Sequence, residues 1–142
     1  MLINRQQRVR FHQREVREFI ERLEQDVVKG REVAVVVVSD AVIRRYNREY
    51  RHHDAPTDVL SFEPCDIMIS AETARRQGRL LGHTVEAEMK VLALHGALHL
   101  LGHDHESDGG KMARLERRWR KRLNLPLSLT ERSLTERSLK ER

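Results

Sequence analysis

The sequence predicts a single α+β domain built around a buried helix, and three observations carry that prediction. Val33-Ala-Val-Val-Val-Val38 is β-branched and continuously apolar, as a strand covered on both faces should be. Val59-Leu-Ser-Phe62 and Asp66-Ile-Met-Ile-Ser70 read as two further short strands. From Val91 to Leu101 the chain is apolar except for two histidines, which marks the central helix of the core. A chain of 142 residues buries one ordinary core and is too short for a second full domain. The expected division is one domain over 1–126 and a polar repetitive tail over 127–142.

In chain order, Val16, Phe19, Ile20, Leu23 and Val27 recur at three- and four-residue steps, predicting a helix from about Phe11 to a stop at Gly30. After the Val33–Val38 strand, Ser39 and Asp40 offer caps for a short helix that turns Val42, Ile43, Tyr46 and Tyr50 inward. Arg51 to Asp58 reads as a polar loop containing Pro56. The strands 59–62 and 66–70 are separated by Glu63-Pro-Cys65, and Ser70 caps another short helix. Thr84 caps the long helix, whose early Glu86 and Glu88 suit the positive end of its dipole. A last helix, about Asp108 to Leu123, keeps Met112, Leu115, Trp119 and Leu123 on one stripe and Arg114, Arg117, Arg118 and Lys121 on another. Asn124 and Pro126 end it. The remainder repeats Leu-Thr-Glu-Arg-Ser with a five-residue period that matches neither helix nor strand, so a frayed or disordered tail is expected, with an amphipathic helix as the alternative.

Composition bounds the function. Hydrophobic residues make up 39% and charged ones 35%, as in a soluble globular protein with a highly charged surface. The apolar Val91–Leu101 stretch is far short of the roughly 20 residues that cross a bilayer, so no membrane partner is expected. The first ten residues lack an apolar signal core, and Cys65 is the only cysteine, which together point to a reducing cytoplasm. The formal charge of +5 favours a polyanionic partner without requiring one, because acids are interleaved with the bases.

The segment carrying chemistry is His95-Gly-Ala-Leu-His99-Leu-Leu-Gly102-His103-Asp104-His105. Four residues on a helix fall about 40° off a full turn, so His95 and His99 project from one face and reach one ion. Gly102 supplies the left-handed residue that ends the helix and lets His105 return to the same ion. Three neutral imidazoles leave a fourth tetrahedral position to water, the open form of a zinc site, and one Zn²⁺ per chain is expected. Core histidines satisfied by hydrogen bonds are the alternative. Burying two imidazoles one turn apart in an apolar helix costs on the order of several kcal/mol without compensation, and a metal compensates directly. His103 and Asp104 are either supporting groups or solvent-facing turn residues.

The spacing His-x3-His-x2-Gly-x2-His resembles that of the metzincin proteases, but those enzymes place a glutamate base after the first histidine, where this chain has Gly96. Glu63, His103 and Asp104 are the substitutes on offer. The same segment matches at every fixed position the His-Gly-x-Leu-His-Leu-x-Gly-x-Asp-His signature of the YbeY family. A second stretch resembles that family too: Asn47-Arg-Glu-Tyr50-Arg51, then Pro56-Thr57-Asp58-Val59-Leu60-Ser61-Phe62, Asp66-Ile67 and Ile69-Ser70. The departures are Tyr46 for a usual leucine, His103 for a common tyrosine, and a shortened Glu63-Pro-Cys65 link lacking the glycine usual before Asp66.

The resemblance implies an α+β fold with a small mixed sheet, a three-histidine metal site, and Arg51 as a functional arginine. It also implies a single-strand-specific endoribonuclease acting in 16S rRNA 3′-end maturation and ribosome quality control, with the small ribosomal subunit as partner. Zinc would acidify water and polarise a phosphoryl oxygen, while the planar guanidinium of Arg51 would hold the scissile phosphate. Arg114, Arg117, Arg118 and Lys121 are candidate contacts for the RNA backbone, extended by Arg5, Arg8 and Arg10; a solvated helix face is the competing explanation. A non-enzymatic ribosome-assembly factor with a structural zinc and a metzincin-like metalloprotease are the alternative functions. Six aromatic residues in the whole chain offer little material for base stacking.

Overall fold

A computed structural model of the chain describes residues 1–102 and 109–126. The expectations for His103, Asp104, His105 and the tail 127–142 lie outside the described residues. The elements run β1 (Leu2–Asn4), α1 (Gln13–Asp26), β2 (Ala34–Val38), α2 (Asp40–Arg51), β3 (Val59–Phe62), β4 (Asp66–Ser70), α3 (Ala71–Leu81), α4 (Val85–Leu100) and α5 (Lys111–Arg122). The fold is the α+β class expected, with a four-stranded mixed sheet in the order β1-β2-β4-β3. β1 and β4 run parallel to β2, while β3 is antiparallel to β4 and forms an edge.

Strand alternation divides the side chains between two faces. Val35, Val37, Ile67 and Ile69 join the main core with α1 and α4, whereas Val36, Val38, Leu60, Phe62 and Met68 pack with Ile43 and Tyr46 of α2. α4 is the central helix: Val91, Leu92, Ala93, Leu94, Ala97 and Leu98 are all buried. It can lie close to the sheet because residue 96 is glycine, where a Cβ would come within 2.9 Å of Ile67 Cγ2. All three capping expectations hold. Ser39, Ser70 and Thr84 accept from the backbone N–H of Val42, Thr73 and Ala87.

Four readings need correction. β1 had no counterpart in the sequence reading; it pairs Leu2–Asn4 with Val35–Val37. Arg51 is the last residue of α2 rather than the first of a loop, because His52 takes the left-handed conformation at φ 57° and ends the helix one residue later. Tyr50 points outward and is 61% exposed, since the final turn of α2 is not covered as its first two are. In α5, Glu116 and Arg120 are buried along with Met112, so that stripe is not purely apolar.

Candidate metal centre and phosphate site

The last turns of α4, the edge strand β3 and the C-terminus of α2 enclose a cavity of about 290 Å³ lined by Arg51, Ser61, Glu63, His95, His99 and Leu100, among others. Each wall has a local cause. His95 and His99 are four residues apart on α4, and their rings meet at a centroid separation of 4.7 Å and 69°. Their Nε2 atoms lie 3.2 Å apart. Gly102, at φ 91°, adopts the left-handed conformation expected of it just beyond α4.

Behind His95 stands Glu116 of α5, which is 1% exposed. His95 Nδ1 and Glu116 Oε1 are 2.9 Å apart, so a carboxylate there accepts the Nδ1 proton and leaves the Nε2 lone pair directed at the cavity. Sequence reasoning missed Glu116. The signal was available: Met112, Glu116, Trp119 and Leu123 follow each other at helical steps, so an acid stands inside the stripe that faces the core.

Arg51 reaches the cavity from the end of α2, and its Nη2 donates to the Ser61 carbonyl at 3.1 Å on the outer edge of β3. Ser61 in turn donates from Oγ to the Gly96 carbonyl at 3.2 Å, which ties β3 to the histidine helix. Asn47 fixes the intervening segment, donating from Nδ2 to the Ala55 carbonyl at 2.9 Å, and Arg44 pairs with Asp54 at 2.8 Å. The guanidinium of Arg51 is exposed and remains charged, so it can turn from the Ser61 carbonyl to a ligand oxygen.

Asp58 is a second group that sequence reasoning gave no role. Burial pushes its carboxyl above the usual carboxylate range; hydrogen bonds from the Gln77 amide and the Val59 backbone N–H only partly offset this. It accepts from the Val59 N–H at 2.8 Å. At the same end of the sheet, Asp40 behaves oppositely. Burial raises its pKa, but hydrogen bonds from Ser70, Thr73 and Arg76 and the charge of Arg76 outweigh that and leave it lowered. Asp40 thus pins the start of α2 to the start of α3.

Of the residues expected to form the site, the structure brings together His95, His99, Arg51 and Glu63. Among the described residues no group of three potential ligands is assembled; the expected third ligand, His105, lies outside them. Arg114, Arg117, Arg118 and Lys121 are exposed on α5, and none lines the cavity. No helix among the described residues is long and apolar enough to cross a membrane.

A buried helix that presents paired imidazoles to an arginine-lined cavity, on a small mixed sheet, defines an α+β protein with a candidate metal centre. The chain belongs to the Endoribonuclease YbeY family, whose model matches residues 1–124. A relative from Solibacter usitatus, named Endoribonuclease YbeY, is 48% identical over 122 residues, covering 82% of this chain and 83% of its own length. One of the same name from Koribacter versatilis is 46% identical over 112 residues, covering 75% and 73%. The solution structure of TM1509 from Thermotoga maritima superposes with a TM-score of 0.62 at 26% identity, covering 87% of this chain and 89% of that one.

Proposed function

We propose that the chain is a zinc-dependent, single-strand-specific endoribonuclease of the cytoplasm, acting on the small ribosomal subunit in 16S rRNA 3′-end maturation and quality control. One observation carries the catalytic part: the 3.2 Å approach of two Nε2 atoms over a cavity that Arg51 also lines. Two nitrogens bound to one tetrahedral zinc at 2.0–2.1 Å stand roughly 3.3–3.4 Å apart, so the pair fits two ligands of one ion. His105 supplies the third by its spacing in the sequence. The RNA substrate is supported by the names of the family and its relatives, and the 16S assignment by the family resemblance.

His95 and His99 would hold the ion, with Glu116 fixing the His95 ring and its tautomer from behind. When bound, zinc polarises a phosphoryl oxygen and acidifies water. Arg51 releases the Ser61 carbonyl and clamps two phosphate oxygens, countering the charge that grows as phosphorus is attacked. Glu63 lines the cavity and is the described carboxylate that would take a proton there, a role that His103 or Asp104 could fill instead. The protease alternative lacks the glutamate that metzincins place after the first histidine, since residue 96 is a glycine packed against Ile67 and Ser61, and it would have to use another base such as Glu63.

The test uses a labelled single-stranded RNA, the same RNA annealed to its complement, and casein. Chelator-sensitive cutting of the single strand alone is expected. Casein cleavage with RNA left intact would overturn the substrate assignment.

A further inference from the structure

Three of the chain's six aromatic residues gather beside the cavity, on the other side of the β3 edge. Tyr46 and Tyr50, one turn apart on α2, stack at 5.9 Å and 14°. Phe62 meets both edge-on, at 6.1 Å from Tyr46 and 5.6 Å from Tyr50. The inner rings are half-buried, but Tyr50 is 61% exposed. The cluster thus backs one ring with two others while leaving it open to solvent, an arrangement that intramolecular packing does not require.

Next to it, beyond the part of the sheet face that α2 covers, the surface is hollowed. A hollow of about 500 Å³ is lined by Tyr50 and Phe62 together with Ile3, Val36 and Met68, and carries Arg5 at its border; the carboxylate lining it, Asp66, is exposed. Platform and cavity are continuous along the chain. Tyr50 precedes Arg51 and Phe62 follows Ser61, and the Arg51–Ser61 hydrogen bond joins the two segments. The exposed ring thus belongs to the residue next to Arg51, and the hollow it lines also carries a second cation, Arg5.

We infer that Tyr50, backed by Tyr46 and Phe62, is a stacking platform for one base of a single-stranded RNA adjacent to the phosphate held at Arg51. This rests on the endoribonuclease reading and gives it a physical basis for strand preference: an unpaired base can turn onto the ring, whereas a base inside a duplex is already stacked and its edges are engaged. Stacking tolerates any base because each has a π-face, so the site selects for unpaired structure rather than for sequence.

The experiment is single-turnover cleavage by the zinc-loaded full chain of a labelled single-stranded oligoribonucleotide, with abasic sites scanned through the positions flanking the cut. Anisotropy of the same oligonucleotides reads binding separately. Tyr50→Ala should raise the half-saturating concentration about 5- to 100-fold with a smaller change in plateau rate and unaltered zinc content. Tyr50→Trp should restore binding. An abasic site at one flanking position should reproduce the loss in wild type and add little in Tyr50→Ala. A flat abasic scan with an active wild type would overturn the platform and leave the nuclease standing. Tyr50-dependent binding without any cleavage would support the platform and sink the nuclease reading. Tyr50→Ala altering only self-association, with RNA binding unchanged, would assign this face to a protein contact and overturn the inference.

Discussion

Glu116 and His95 meet 2.9 Å apart between α5 and α4, and their contact makes the last helix part of the site without placing any of its exposed basic side chains there. A buried carboxylate on Nδ1 fixes which nitrogen carries the proton and so which nitrogen faces the cavity. Glu116→Gln keeps the shape but can present its amide hydrogens to Nδ1. It should weaken zinc about 10- to 100-fold in a chelator competition, as loss of such supporting partners does in other metal sites. Unchanged affinity would remove Glu116 from the metal centre and leave it a structural role.

Among the described residues Arg51 hydrogen-bonds the Ser61 carbonyl, and its side chain is exposed, so its loss should leave the fold intact. Arg51→Ala should keep the fold and the zinc and weaken RNA binding only modestly. Its single-turnover rate should fall by about 100- to 1,000-fold, the usual cost of one electrostatic donor to a transition state. Arg51→Lys should recover little, because an ammonium lacks the two-pronged geometry. Equal rates for wild type and Arg51→Ala would exclude Arg51 from the chemistry.

Much of this site can be read from the sequence, and the parts that cannot share a cause. His95, His99 and the turn at Gly102 follow from helix geometry and from one residue type, both local, and so do the caps Ser39, Ser70 and Thr84. β1 is three residues long, too short to show a period, and it exists only through pairing with β2 some thirty residues later. Tyr50 lies on the same helical stripe as Ile43 and Tyr46; only the assembled fold reveals that the last turn of α2 projects past the residues that cover the first two. Left-handed His52 gives no compositional signal, which is why Arg51 read as loop. Glu116 needed its partner on another helix to be recognised.

Gly96 is a packing position. Its missing Cβ leaves room for Ile67, which is fully buried, and for the Ser61 hydroxyl. Gly96→Ala gains up to about 1 kcal/mol of helix propensity but forces Ile67 to move, and overpacking of this kind costs about 1–3 kcal/mol. A net loss of stability is expected in denaturant melts, with a still larger loss for Gly96→Glu. A stabilised Gly96→Ala would mean that α4 can shift off the sheet without penalty.

Asp40 and Asp58 should give pH effects of opposite sign. Asp40 is held below its ordinary 3.8, so its stabilisation is present above that pH and disappears as the pH falls through the folded value. Asp40→Ala should therefore be less stable at neutral pH, and the deficit should close in acid. Asp58 is held above 3.8, so its contribution is complete below that pH and is lost as the pH rises through the folded value. In metal-free protein, Asp58→Asn should be the more stable form at neutral pH and lose that advantage in acid. Parallel urea melts across the acid range check both signs, and a deficit of Asp40→Ala that persists in acid would contradict the first.

The most direct measurement is the zinc content of the purified, metal-replete chain, determined together with its single-turnover cleavage of a labelled single-stranded RNA, for wild type and His99→Ala. One equivalent of zinc and cutting by wild type are expected, with both lost when His99 is removed, because its Nε2 stands 3.2 Å from that of His95 over the same cavity. A His99→Ala chain that keeps a full equivalent of zinc, or that cuts RNA as fast as wild type, would contradict the site.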